Sequence, residues 1–133
     1  MFVGQLSGAQ KELILDAAIH LSSADDDFSN YEKATIDQMC LEMQVPVRYQ
    51  AKLDLDAVLE EFKRIESVRE KRIILIELAG IVLADRIYDT REKDALLRIT
   101  TSLGFQSEKA NEAIDLVKEY FGIFDKISKY LQE

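Results

Sequence analysis

Apolar residues recur at helical spacing along most of the chain, and no stretch alternates between polar and β-branched residues as a strand would. Most of these stretches are preceded by serine or aspartate with glutamine or glutamate three residues later, which is the start signal of a capped helix. These pairs are Ser7 with Gln10, Ser29 with Glu32, Ser67 with Glu70 and Asp89 with Glu92. Pro46 and Gly104 mark two helix ends. The pattern predicts an all-α fold, a compact bundle of about seven helices.

The most apolar stretch is residues 73–84, and its only charged residue is Glu77. At about 12 residues it is well short of the ~20 that span a bilayer, so it predicts a buried central helix and no membrane span. Residues 47–65 predict one or two further helices, with a break near Asp54. A final apolar stripe runs from Ile114 to Leu131.

The chain also matches itself when it is shifted by sixty residues. Residues 13–45 then align without a gap on residues 73–105, and the acidic residues between the helices coincide. Such a repeat predicts two helix-loop-helix units related by a pseudo-twofold axis. We expect one domain over residues 1–133, with repeats at about 10–60 and 67–120 and a C-terminal helix to residue 132.

Composition narrows the class of partner. Of 133 residues, 47% are hydrophobic and 32% are charged, and the formal net charge is -8. An acidic surface repels phosphates, which argues against nucleic acid and anionic lipid as partners and leaves cations or another protein. The single Cys40 cannot form an internal disulfide, and the N-terminus lacks the pattern of a signal peptide, so we expect a cytoplasmic protein.

Each repeat carries an acidic corner between its two helices. Helix capping explains Ser29 and Glu32, and equally their counterparts in the second repeat, Asp89 and Glu92, because such pairs satisfy the first N–H groups of a helix. Capping does not explain Asp25, which recurs as Asp85. Both lie at the end of the preceding helix, where the helix dipole disfavours a carboxylate.

A compensating cation would account for these misplaced carboxylates. Ca²⁺ and Mg²⁺ prefer several oxygen ligands, and the pseudo-twofold axis can bring both corners together. The candidate metal ligands are Asp25, Asp26, Glu32, Asp85 and Glu92. The loop is not an EF-hand, because the glycine and glutamate required at positions 6 and 12 are replaced by Asn30 and Ile36. Solvated acids with helix caps, and no cation, are the alternative.

The two corners read "ADDDFSNYE" (24–32) and "ADRIYDTRE" (84–92), and this pair resembles the signature of the TerB-like tellurite-resistance family. The resemblance covers residues 10–120. It implies a bacterial cytoplasmic all-helical domain linked to metal stress or phage defence, with a divalent-metal site at Asp25, Glu32, Asp85 and Glu92. Related domains attached to other modules serve as interaction units. The family's glycine is replaced here by Asp26 and Arg86, and Arg86 puts a positive charge into the second corner.

The remaining reactive residues do not form a recognisable site. His20 is the only histidine and lies one turn before the first corner, and Cys40 falls on the apolar face of its helix. One of each cannot complete a zinc site, and no base, nucleophile and orienting group stand at catalytic spacing. We therefore expect no enzyme and no catalytic residues. The two remaining hypotheses are a cation-binding domain and a metal-free helical adaptor for another protein.

Overall fold

The computed structural model describes residues 1–22, 30–84 and 90–133. In these ranges the backbone forms a 3-10 turn at Val3–Gln5 and six α-helices, and it contains no strand. The helices are α1 (Gly8–Ser22), α2 (Asn30–Met43), α3 (Leu55–Phe62), α4 (Val68–Val82), α5 (Thr90–Ser102) and α6 (Ser107–Gln132). The predicted all-α class is confirmed, and the predicted seven helices are six in the described part of the chain.

The difference arises between α2 and α4. Residues 44–54 are not helical, and the one helix between α2 and α4 is α3, which begins after Asp54. The Asp54 side chain accepts a hydrogen bond from the Ala57 N–H at 2.8 Å. The Ser67 hydroxyl caps α4 in the same way by accepting from the Glu70 N–H at 3.2 Å. Capping side chains therefore set the starts of both helices.

The core of the bundle lies around α1 and α4, which pack against each other. Helix α2 packs on α1, α5 packs on α4, and α3 contacts both α1 and α5. Leu78, Ala79 and Val82 are fully buried, which confirms the predicted central position of this helix. None of the helices in the described ranges is long and apolar enough to cross a membrane.

The two predicted units share three of their four helix boundaries after a shift of sixty residues. From α1 to α4 the first residue moves from Gly8 to Val68 and the last from Ser22 to Val82, a shift of sixty residues at both ends. Burial follows the same register, since Ile36 of α2 and Leu96 of α5 are both fully buried. The repeat seen in the sequence is therefore also present in the described helices.

The ends of α2 and α5 repeat in the same register. Gln44 and Gly104 both have left-handed backbone, with φ of 60° and 87°. Around Gln44, the Val45 N–H donates to the Cys40 carbonyl at 3.0 Å, and around Gly104 the Phe105 N–H donates to the Thr100 carbonyl at 3.1 Å. Both are Schellman ends, in which glycine is the favoured left-handed residue.

Glycine exchange at these equivalent positions is expected to have opposite effects. Gln44→Gly should stabilise the fold by about 0.5 to 1 kcal/mol, because it removes the steric cost of left-handed backbone. Gly104→Ala should destabilise it by about 1 to 2 kcal/mol for the same reason. An added Cβ at Gly104 would meet only the Lys71 ammonium at 3.8 Å, so no clash contributes. Urea denaturation of the two variants measures both changes in stability. If both variants were stabilised, or both destabilised, the shared left-handed geometry would be contradicted.

Helix α6 extends beyond the bundle. Its first half packs on α4 and α5 and buries Ala110, Ala113, Ile114 and Val117. After Val117 every residue to the end of the chain is exposed except the half-buried Phe121, Gly122 and Ser128. A continuous helix thus carries apolar side chains away from the core.

Candidate functional site

The two glutamates of the predicted acidic site occupy equivalent places in the fold. Glu32 is the third residue of α2 and Glu92 is the third residue of α5, and both side chains are half-buried. A carboxylate in the first turn is favoured by the helix dipole, so these positions are stable with or without a cation. The other three predicted ligands, Asp25, Asp26 and Asp85, lie outside the described residues, as do the predicted caps Ser29 and Asp89.

The last residue of α1 carries an unsatisfied polar group. Ser22 is 4% exposed, and its hydroxyl has no hydrogen-bond partner among the described residues. Its counterpart in the second unit is Val82, which needs none. A buried hydroxyl without a partner is costly, and such a group is satisfied in proteins by water, a ligand or an ion. Ser22 directly precedes the segment that contains the first acidic corner.

A groove of about 640 Å³ lies where both corners join the described chain. Asn30, the first described residue of the first corner, and Ala84, the first residue of the second corner, both line it. Its apolar wall includes Ile81 from α4, and Tyr120 and Phe124 from α6. The chain segments that flank the two corners are therefore neighbours at one groove.

Metal-ligating residues do not cluster elsewhere in the described structure. Residues 1–22, 30–84 and 90–133 contain no group of three or more His, Cys, Asp or Glu side chains placed to hold a metal ion. Because three of the five predicted ligands lie outside these ranges, the predicted site remains a prediction. Glu32 and Glu92 are the two members whose positions the structure describes.

The lone histidine and the lone cysteine both have structural surroundings. The Nε2 atom of His20 lies 2.8 Å from the Leu53 carbonyl and donates to it, because a carbonyl oxygen can only accept. Cys40 is fully buried, as its place on the apolar face predicts. Burial raises the pKa of the Cys40 thiol, which disfavours the reactive thiolate.

A buried ion pair, which the sequence did not indicate, holds the long loop between α2 and α3. Asp16 of α1 is 2% exposed, and its Oδ1 accepts from the Arg48 guanidinium at 2.6 Å. The same carboxylate accepts from the backbone N–H groups of Lys52 at 2.9 Å and Leu53 at 3.2 Å. One side chain of α1 thus fixes both ends of the segment 48–53.

Glu12 extends this pair to the surface. It lies one helical turn before Asp16, 3.0 Å from the Arg48 guanidinium and 3.3 Å from the Lys52 ammonium. The hydrogen bond from Arg48 lowers the pKa of the Glu12 carboxyl, so Glu12 favours the fold above its unfolded pKa and loses this effect as the pH falls through its folded pKa. Glu12 is 43% exposed, so solvent screens much of this contribution.

A second carboxylate pair holds the N-terminal segment. Glu42 of α2 and Glu77 of α4 lie 3.0 and 3.1 Å from the α-amino group of Met1. Glu77 also accepts from the Phe2 N–H at 2.7 Å, and Glu42 accepts from the Val3 N–H at 3.2 Å. Burial lowers the pKa of the Met1 amino group, but the two carboxylates together raise it above its usual value.

These carboxylates have structural roles, and two of them had a signal in the sequence. Asp16 and Glu77 are acidic residues inside otherwise apolar helical runs, where an unpaired charge would be costly. That position predicts a partner, but not which one, since Arg48 lies 32 residues away in a loop without periodicity.

Comparison of the chain with models of protein families, with curated proteins and with solved structures finds no match in any of the three.

Proposed function

We propose that this chain is a non-enzymatic bacterial domain of the TerB-like kind, which binds a divalent cation at its acidic corners as part of a cytoplasmic stress response. The ligands would be Asp25, Asp26 and Glu32 from the first corner and Asp85 and Glu92 from the second. Ca²⁺ and Mg²⁺ are the ions that suit a set made only of carboxylates.

The observation that carries the proposal is the position of the two corners in the repeat. The helices that flank them recur with a shift of sixty residues, Glu32 and Glu92 take the same place in α2 and α5, and Asn30 and Ala84 line one groove. If the five carboxylates came together in this region, they would repel one another without a cation. A shared divalent ion would remove that repulsion.

The buried hydroxyl of Ser22 supports a polar occupant beside the first corner. Hydroxyl oxygen is a suitable ligand or water partner for a hard cation, and a buried hydroxyl with no partner among the described residues favours one of these. The second corner offers Val82 at the equivalent position and Arg86 in its loop. The first corner is therefore the better candidate for tight binding.

A metal-free adaptor that binds another protein is the second candidate function. It is favoured by the groove of about 640 Å³, whose wall includes the half-buried Ile81 and the 57% exposed Phe124. Apolar side chains on an open groove are typical of protein-binding surfaces. This candidate requires no cation at the corners.

Calorimetric titration of the chelator-treated protein with Ca²⁺, Mg²⁺, Mn²⁺ and Zn²⁺ separates the two functions. We expect a heat of binding for Ca²⁺ or Mg²⁺ and a higher melting temperature with that ion. An ion that binds only the native state stabilises it by about 2.7 kcal/mol at a hundred times its dissociation constant. In a domain of this size that is a rise on the order of 10 °C.

Two variants make the test specific. Asp25→Asn with Asp85→Asn should abolish both the heat and the shift in melting temperature, because these are the carboxylates that capping does not explain. Asp27→Asn removes one charge from the same loop but has no acidic counterpart, since Ile87 stands there, and it should leave both signals intact. No heat from any of the four ions, or equal heat from the double variant, would exclude the metal function and favour the adaptor.

A further inference from the structure

The second half of α6 carries an apolar stripe that the described chain does not cover. Leu116, Tyr120, Ile123, Ile127 and Tyr130 follow one another at intervals of four, three, four and three residues, and each is 45% to 75% exposed. These are the intervals of the a and d positions of a coiled coil. Phe124, 57% exposed, widens the stripe on the side that faces the bundle.

The stripe is too large to be an ordinary exposed surface. Its side chains expose on the order of 700 Å², whereas the largest apolar patch of a typical monomer is about 300–600 Å² and a standard interface covers about 800 Å² per partner. The amount of surface is thus that of a protein interface.

We infer that the occupant of this stripe is α6 of a second copy of this chain, packed antiparallel to the first. A heptad register with Tyr120 and Ile127 at a and with Leu116 and Ile123 at d is self-complementary in this direction. Tyr120 then packs on Ile123 of the second copy, and Leu116 packs on its Ile127.

Charges beside the stripe select this arrangement. Glu119 and Lys126 are exposed and occupy successive g positions, on the side away from the bundle. In the antiparallel register each Glu119 lies beside Lys126 of the other copy, so symmetry forms two ion pairs. A parallel pair would place Glu119 against Phe124 and Lys126 against Leu131, with neither charge matched. Electrostatic complementarity therefore favours the antiparallel dimer.

The groove between α4 and the first half of α6 extends the same interface. This groove has a volume of about 460 Å³, and Ala113 and Leu116 form part of its wall together with Arg69 and Arg72. The register that pairs Tyr120 with Ile123 puts Tyr130 of the second copy on Ala113. A large ring thus meets the smallest side chain of the seam. The acidic Glu133 follows toward the two arginines.

The oligomeric state of the full chain tests the inference. Sedimentation velocity from about 1 μM to about 1 mM, the range of weak to moderate dissociation constants, should show a reversible monomer–dimer equilibrium. Ile127→Glu should raise the dissociation constant at least about 30-fold, because symmetry puts a charge into both Leu116–Ile127 layers of the paired stripes. Its circular dichroism should be that of a folded monomer, since Ile127 is 53% exposed in the single chain.

Charge reversal tests the direction of packing. Glu119→Lys and Lys126→Glu should each weaken the dimer about tenfold, because symmetry places either change at two ion pairs. The double reversal should return to within about threefold of the wild type. Lys118→Glu changes the charge as Lys126→Glu does, but at a position outside the paired stripes, and it should not weaken the dimer.

A monomer at every concentration, or a dimer unaffected by Ile127→Glu, would overturn the inference and assign the stripe to another occupant. A double reversal as weak as the single ones would overturn the antiparallel register.

Discussion

Asp16→Ala is expected to lower the free energy of unfolding by about 3 to 5 kcal/mol. The substitution removes the nearer and more deeply buried of two carboxylate partners from the Arg48 guanidinium, which is only 19% exposed, and leaves it with Glu12 at 3.0 Å. It also removes the acceptor for the backbone N–H groups of Lys52 and Leu53. Each of these donors that is left without an acceptor adds to the loss. Urea denaturation followed by circular dichroism measures the effect, provided that the slope of the free energy of unfolding against urea concentration is the same in the variant and the wild type.

A second aspartate–arginine pair provides the control. Asp56 lies 2.7 Å from Arg98, but the two side chains are 85% and 54% exposed. Because exposed ion pairs contribute little, Asp56→Ala should cost no more than about 1 kcal/mol. Equal losses from Asp16→Ala and Asp56→Ala would show that burial does not determine the strength of the Asp16 pair.

Leu96→Ala should destabilise the protein by about 2 to 5 kcal/mol, the range for a fully buried leucine whose cavity closes only partly. Leu96 is fully buried in α5, which packs against α3, α4 and α6, so the lost contacts involve several helices. The pseudo-symmetric position, Ile36 of α2, is also fully buried. Ile36→Ala should therefore fall in the same range, and thermal or chemical unfolding of both variants measures this.

Leu41→Ala is the matched control for these two core variants. Leu41 lies on α2 and is 71% exposed, so the same loss of side-chain atoms leaves no cavity. Its effect should stay within about 0.5 kcal/mol. If Leu41→Ala cost as much as Leu96→Ala, the loss at Leu96 could not be attributed to core packing.

The helices were predictable because the sequence carries both their period and their starts. The apolar period of the chain predicted an all-α fold. Ser67 predicted the start of α4 at Val68, since a capping hydroxyl acts on the next three residues. The repeat was predictable from a gapless match, because both helix starts, and the ends of α1 and α4, recur after sixty residues.

The loop between α2 and α3 was not predictable. Residues 47–53 have a composition that helices tolerate, and the prediction of one or two helices over 47–65 followed from it. In the folded chain, Asp16 uses the side chain of Arg48 and the N–H groups of Lys52 and Leu53. Those N–H groups then donate to a distant carboxylate instead of to the backbone carbonyl groups of a helix. A contact between residues 32 to 37 positions apart leaves no local trace in the sequence.

The candidate site was predictable in part. Capping alone predicts glutamates in the first turn of α2 and of α5, and the structure describes Glu32 and Glu92 there. The common groove beside both corners depends on how α2, α4 and α6 pack, which periodicity cannot specify. Asp25, Asp26 and Asp85 remain sequence predictions, and the proposed titration addresses them directly.

The overhang of α6 also makes the last turns of this helix prone to local opening. Beyond Val117 the helix has few tertiary contacts to oppose fraying, and an isolated segment shorter than about 12–15 residues is only marginally helical in water. Its last turns therefore unfold locally at a small fraction of the global free energy, while α1 and α4 stay folded. Lys126 and Lys129 lie in this part of the helix, so a trypsin-like protease would reach the chain here before anywhere in the core. Whatever covers the stripe protects this end of the chain from degradation.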